Sequence, residues 1–244
     1  MPQDSEFVES YMPGIKSLKP YVDEFFSLLD SRIKYDRLKI NTLQEFTQKF
    51  FLTDHHWNAY GAYEGYCDII KIMSAGNPRS LGELHIIKDS EWHGSNARVY
   101  AYYEYTDNFF FYDYKLPPHI IETTKDYPGF DANMSLYLND GYSKSPDMDY
   151  YSAFYPYASY ICYPENNTRR KVLMLTDSFS RGVSELLGSN FDEMFVYDYR
   201  RMNEIGNYNE FIKKRGITDV LVMQTFPLGV FNRNNDNGLC FIIT

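Results

Sequence analysis

Two short stretches of this sequence hold side chains of the types that acyl chemistry needs. The first is Thr53-Asp54-His55-His56-Trp57, where a carboxylate and an imidazole stand two residues apart. In an extended segment, residues i and i+2 project to the same side, so Asp54 and His56 face one site while His55 points elsewhere; in a helix the pair would diverge by about 200 degrees. A carboxylate that orients a basic imidazole is two thirds of a serine triad. The same cluster supports a second chemistry, because Asp54, His55 and His56 are three donors of metal-ligand type, as a metal-assisted hydrolase would use. A plainer reading makes Asp54 a helix cap and the histidines ordinary polar residues. The second stretch is Leu175-Thr176-Asp177-Ser178-Phe179-Ser180. A serine there, at the end of an apolar run, has helix amides and the positive end of a helix dipole close by, which is where a nucleophile and its oxyanion donors belong. The plainer reading has Asp177, Ser178 or Ser180 capping the next helix.

The elements around these stretches follow from apolar periodicity. Before Asp54, helical spacing of Tyr21, Val22, Phe25, Phe26, Leu28, Leu29 and Ile33 predicts a helix that Pro20 opens, and alternation over 38–43 predicts a short strand. After His56, the stripe Ala59, Ala62, Tyr63, Tyr66, Ile69, Ile70 and Met73 predicts a helix stopped near Gly76. The aromatic runs at 100–105 and 109–114, separated by Thr106-Asp107-Asn108, predict a hairpin. They open a Pro- and Tyr-rich stretch, 79–168, that is expected to be an insertion or cap within one domain. Residues 171–226 are the most regular: apolar runs at 171–175, 193–198 and 219–223 alternate with helices at 180–187 and about 205–215, the latter stopped by Gly216. Strand, helix, strand, helix, strand in so short a span implies parallel strands with right-handed crossovers, buried on both faces. In such a sheet, ligands gather beyond the carboxyl ends of the strands, where Ser178 stands.

Composition narrows the function classes. The chain has 244 residues with 24 Lys and Arg against 33 Asp and Glu, a formal charge of −9, which argues against nucleic acid as a partner. Hydrophobic residues make 44% of it, a globular proportion that fits one large α/β domain. The 24 tyrosines and 18 phenylalanines are unusual, and tyrosine faces suit sugar rings as well as they suit a packed core. Cys67, Cys162 and Cys240 are too far apart to spell a disulfide framework or a zinc site. No run approaches the roughly 18 to 20 apolar residues that cross a bilayer, so no transmembrane segment is expected, and the acidic start is unlike a signal peptide.

The stretch from Thr53 to Ala62, TDHHWNAYGA, resembles the signature of the DHHW protein family, which belongs with the SGNH-hydrolase-like alginate O-acetyltransferase proteins AlgJ and AlgX; there the pattern is Thr-Asp-x-His-Trp followed by Gly-Ala. Residues 171–180 resemble the family's strand running into a Gly-Asp-Ser-Phe-like turn, with Thr176 in place of the Gly. The similarity spans most of 35–226. It implies a flavodoxin-like, SGNH-hydrolase-like α/β fold, a three-layer α/β/α sandwich with an aromatic β-rich insertion, in a single domain over 1–244 that lacks its N-terminal part.

The resemblance also implies a function: transfer of acetyl groups to a carbohydrate, or their removal, through an acetyl-serine. It makes Ser178 the nucleophile, His56 the general base and Asp54 the residue that orients it, in a chain order opposite to that of common SGNH esterases. Trp57, Asp177, Phe179 and Ser180, inside the two motifs, become substrate-facing or turn-supporting residues. No metal or organic cofactor is required. The expected partners are a polysaccharide or cell-wall glycan acceptor and a membrane-bound O-acyltransferase, in the cell envelope outside the cytoplasm, which requires an anchor or signal upstream of this start. The alternatives are a non-catalytic glycan-binding or scaffold protein of the same fold and, third, the metal-assisted hydrolase.

Overall fold

The computed structural model describes residues 9, 14, 16–86, 92–123, 158–198 and 207–225. The chain opens with α1 (Lys19–Ser27), which has Pro20 in its first turn, α2 (Leu43–Lys49) and α3 (Ala59–Ile72). Residues 38–41 form no strand: the Thr42 hydroxyl accepts from Glu45 N–H at 3.1 Å and the Glu45 carboxylate takes Asn41 N–H at 2.6 Å. That reciprocal capping starts a helix where alternation suggested a strand.

A five-stranded sheet carries the rest. Its parallel part is centred on β5 (Lys171–Thr176), which pairs with β6 (Glu193–Asp198) on one side and β7 (Asp219–Met223) on the other. Two antiparallel strands, β3 (Ile120–Thr123) and β4 (Ala158–Cys162), extend it beyond β6, so the order is β3-β4-β6-β5-β7. On one face, Val172, Met174, Met194, Val196 and Ile161 join Ala62, Tyr66 and Ile70 of α3 and Leu186 and Leu187 of α5 (Ser184–Gly188) in the main core. On the other, Leu173, Leu175 and Phe195 pack against Phe211 and Ile212 of α6 (Tyr208–Arg215). Because β5 is buried on both faces it reads as an unbroken apolar run, and each of its leucines contributes about 1.5–3 kcal/mol by burial. Helices on both faces make the three-layer sandwich.

Two expectations change. The aromatic runs do not form a hairpin: Ser95–Tyr100 is helix α4, ended by Ala101 at φ +54°, and β2 (Phe110–Asp113) pairs instead with β1 (Glu83–Ile86) in a separate antiparallel sheet. The middle residue of the expected turn, Asp107, is bonded elsewhere, bridging through its backbone to Trp92. The expected helix at 180–187 is two pieces, a 3-10 turn at Ser178–Gly182 and α5, joined at Val183.

Topology places the site. From β5 the chain moves to β6 on one side, then through α6 to β7 on the other. Connections part at the carboxyl end of β5, the switch point where open α/β sheets hold their ligands, and Ser178 is two residues beyond it.

Candidate active site

The loop that carries Asp54 and His56 lies between Phe50 and Trp57, which pair as an isolated bridge. Asn58 caps α3, its Oδ1 accepting from Tyr60 and Gly61 N–H at 3.0 and 3.1 Å, so Asp54 is not a helix cap. Asp54 Oδ1 instead accepts from the His56 backbone N–H at 2.9 Å and from His56 Nδ1–H at 2.6 Å. The two side chains converge through this tight Asx-type turn, not through the extended segment that spacing suggested. Asp54 Oδ2 accepts from Ser95 N–H at 2.6 Å.

On the other side of the ring, His56 Nε2 faces Ser178 Oγ at 2.8 Å. With Nδ1 donating to a carboxylate, Nε2 is the lone-pair nitrogen and the serine hydroxyl donates to it. Asp54, His56 and Ser178 are thus one hydrogen-bonded chain, and all three are buried. Burial drives the His56 imidazole below its usual 6.5, an effect Asp54 and Asp177 oppose and the Arg181 guanidinium reinforces, so the ring is a neutral base. Burial pushes the Asp54 carboxyl up, but its bonds with His56 and the Ser95 amide outweigh that and hold it well below the usual carboxylate range.

The turn after β5 is held by Asp177. Its Oδ1 accepts from Phe179 N–H at 3.0 Å, while Oδ2 accepts from both Thr225 N–H and Thr225 Oγ1–H at 2.7 Å, tying the turn to the end of β7. The Asp177 carbonyl takes Ser180 N–H and Oγ–H at 3.2 and 3.1 Å. Among the first N–H groups of the turn, which have no partner within it, that of Ser178 has none among the described residues and stands beside its own hydroxyl. The Phe179 ring lies 5.0 Å from His56 and 5.6 Å from Trp57, and Trp57 in turn presses on α3 at Gly65, where a Cβ would come within 2.5 Å of the indole.

Asp54, His55 and His56 present ligand-type atoms within 4.8 Å of one another. Both nitrogens of His56 and Asp54 Oδ1 belong to the chain just described, and His55 Nδ1 is 2.7 Å from Ser95 Oγ. A cation held by His56 or by Asp54 Oδ1 would have to displace those bonds. Sequence reasoning missed Gly94, Ser95, Asp107 and Thr225. A Cβ at Gly94 would meet Asp54 Cβ at 2.4 Å, so only glycine brings Ser95 against the acid. A glycine and a serine opening a helix carried a faint signal; Asp107 and Thr225 carried none.

No family model matches the chain, and no curated protein matches it in sequence. Solved structures match it in shape. PatB1 of Bacillus cereus with a sulfonyl adduct superposes with a TM-score of 0.67 at 17% identity, over 86% of this chain and 74% of its own. A second structure of PatB1 gives 0.67 at 17% over 88% and 77%. A DHHW family protein from Eubacterium siraeum gives 0.60 at 20% over 89% and 73%. The chain therefore shares the α/β fold of PatB1 and of the DHHW family protein, in agreement with the DHHW-like residues 53–62.

Proposed function

We propose that this protein is a serine-dependent carbohydrate O-acetyltransferase or acetylesterase. The observation that carries this reading is the unbroken chain from Asp54 Oδ1 through His56 to Ser178 Oγ, with links of 2.6 and 2.8 Å, at the carboxyl end of β5. Ser178 Oγ attacks the carbonyl carbon of an acetyl donor as its proton passes to His56 Nε2. The negative charge formed on the carbonyl oxygen faces the Ser178 N–H and the positive end of the turn. Collapse expels the donor's oxygen, which takes the proton from His56 and leaves acetyl-Ser178. A sugar hydroxyl or water then gives its proton to His56 and attacks the same carbon, and breaking of the Ser178 ester bond returns that proton to the serine. Asp54 keeps the ring in the required tautomer throughout.

Two features support a carbohydrate acceptor, the DHHW resemblance and the split among tyrosines. Tyr66 and Tyr163 are core, but Tyr100, Tyr103 and Tyr105 are 73%, 56% and 56% exposed in the segment that runs on from Ser95. Aromatic faces with a polar edge suit sugar rings. A polysaccharide or cell-wall glycan acceptor, a membrane-bound acyltransferase partner and a site of action outside the cytoplasm belong to the same reading. Among the described residues, no helix is long and apolar enough to cross a membrane.

Release of nitrophenol from nitrophenyl acetate, with mass analysis after exposure to a sulfonyl fluoride, is the test. The parent should turn over and gain one sulfonyl group at Ser178. Ser178→Ala should do neither, and His56→Ala should be slowed in both. A folded parent that is inert to both reagents would favour a glycan-binding protein of the same fold.

A further inference from the structure

Asp107 spends its whole carboxylate on the loop that holds Asp54 and His56. Oδ1 accepts from Leu52 N–H at 2.9 Å, and Oδ2 accepts from Thr53 N–H at 2.6 Å and Thr53 Oγ1–H at 2.5 Å. Its backbone N–H and carbonyl exchange hydrogen bonds with Trp92 at 2.9 and 3.1 Å, and the Trp92 indole stands edge-on to Phe51 at 4.8 Å and Phe109 at 5.4 Å. The connection continues inward. Thr53 Oγ1, its one proton given to Asp107, accepts from Gly94 N–H at 2.9 Å, and the next amide, that of Ser95, is the donor to Asp54 Oδ2. The Thr53 carbonyl accepts from Ala97 N–H at 3.1 Å, fixing α4 to the same loop. One half-buried carboxylate thus locks two chain segments, 52–54 and 92–97, and Asp54 is gripped between them.

We propose that Asp107 is a positioning residue for the acid and base: acting through Thr53, it sets where Asp54 stands and hence how the His56 ring meets Ser178. A hydroxyl has a single proton, so only an acceptor at 107 leaves the Thr53 lone pairs turned to Gly94 N–H. An asparagine would keep one acceptor oxygen and turn its amide N–H groups toward an N–H or hydroxyl donor, replacing an attraction by a clash of donors. Errors of about 1 Å in such geometry cost about 100-fold in rate.

The inference deepens the serine chemistry proposed above, and its activity readout rests on that reading; a spectroscopic readout does not. In protein labelled with nitrogen-15 histidine, the His56 Nδ1–H shared with Asp54 should give a far-downfield proton resonance, identified by its loss in His56→Gln. Asp107→Asn and Thr53→Val should lose or broaden that resonance, whereas Thr53→Ser, which keeps the hydroxyl, should retain it. On nitrophenyl acetate, the first two should lose about 10- to 100-fold in kcat with KM little changed. Thermal melting shows which variants are folded, and Thr53→Val decides the matter if Asp107→Asn does not fold. A folded Asp107→Asn or Thr53→Val with the parent's resonance in place overturns the proposal, as does a parent that lacks the resonance. A parent with the resonance but no esterase activity overturns the functional reading and leaves this one to be judged by the resonance.

Discussion

His56 is pressed from two sides, by burial that favours its neutral form and by a carboxylate that favours its charged form, and burial wins. That balance sets the pH response. The reaction needs a neutral His56, and its imidazole sits below the usual 6.5, so the acid midpoint of kcat/KM should lie below 6.5. Asp54 stays ionised throughout, since its carboxyl lies well below the ordinary range. A titration of kcat/KM with its acid midpoint at or above 6.5 would contradict this electrostatic account. Replacing Asp54 by Asn puts an N–H donor in place of one carboxylate oxygen, so the tautomer is no longer fixed, and the expected loss in kcat is on the order of 10,000-fold with the protein still folded, readable in the same nitrophenyl acetate assay. These side chains were legible in the sequence because acid, imidazole and hydroxyl are the chemistry. The groups that hold them were not: Ser95 serves Asp54 through a backbone N–H that every residue but proline possesses, and Asp107 sits in what local composition describes as a turn.

Among the elements, the three parallel strands were legible, as was the aromatic run that becomes β2, whereas β1, β3 and β4 were not. Strands β5 and β6 lie inside the sheet and carry continuous apolar runs, whereas β1 (ELHI) and β3 (IIET) are only four residues long and gain their identity from partners far along the chain. At the start of β3, His119 clasps α5: Nδ1 donates to the Pro117 carbonyl at 2.7 Å, Nε2 donates to Glu185 Oε1 at 2.6 Å, and the ring stacks on Tyr163 at 4.6 Å. Burial lowers the imidazole, but its bond to Glu185 and to the Pro117 carbonyl together raise it above 6.5. A raised folded value stabilises fully below the unfolded value and is lost as pH rises through the folded one. The melting temperature of the parent should therefore exceed that of His119→Gln at pH 6, by a margin that shrinks as pH climbs above the raised value; a margin indifferent to pH would refute the clasp. Packing between α2 and α3 is tested differently. A Cβ at Gly61 would stand 2.2 Å from the Lys49 carbonyl oxygen, which already accepts Asn58 N–H at 2.8 Å. Gly61→Ala should cost about 1–3 kcal/mol, as overpacking does, and lower the melting temperature by several degrees.

At the scale of the whole molecule, the strand order β6-β5-β7 makes the turn after β5 a ligand site for any chain folded this way, while the surface charge bears on which ligand arrives. The sequence carries a formal charge of −9. A field of that sign opposes the approach of an anionic polymer and leaves a neutral one untouched, and salt weakens it as the screening length falls from about 10 Å at 0.1 M to about 3 Å at 1 M. Acetyl transfer to a neutral oligosaccharide should therefore keep the same KM from 0.05 to 0.5 M salt (about 14 to about 4 Å of screening). Transfer to a uronic-acid oligosaccharide of equal length should begin with a higher KM that falls as salt is added. Steady-state kinetics with both acceptors decides it. A KM for the acidic acceptor that rises with salt would mean that local cations at the acceptor surface outweigh the net charge, and the natural acceptor would then be sought among acidic glycans.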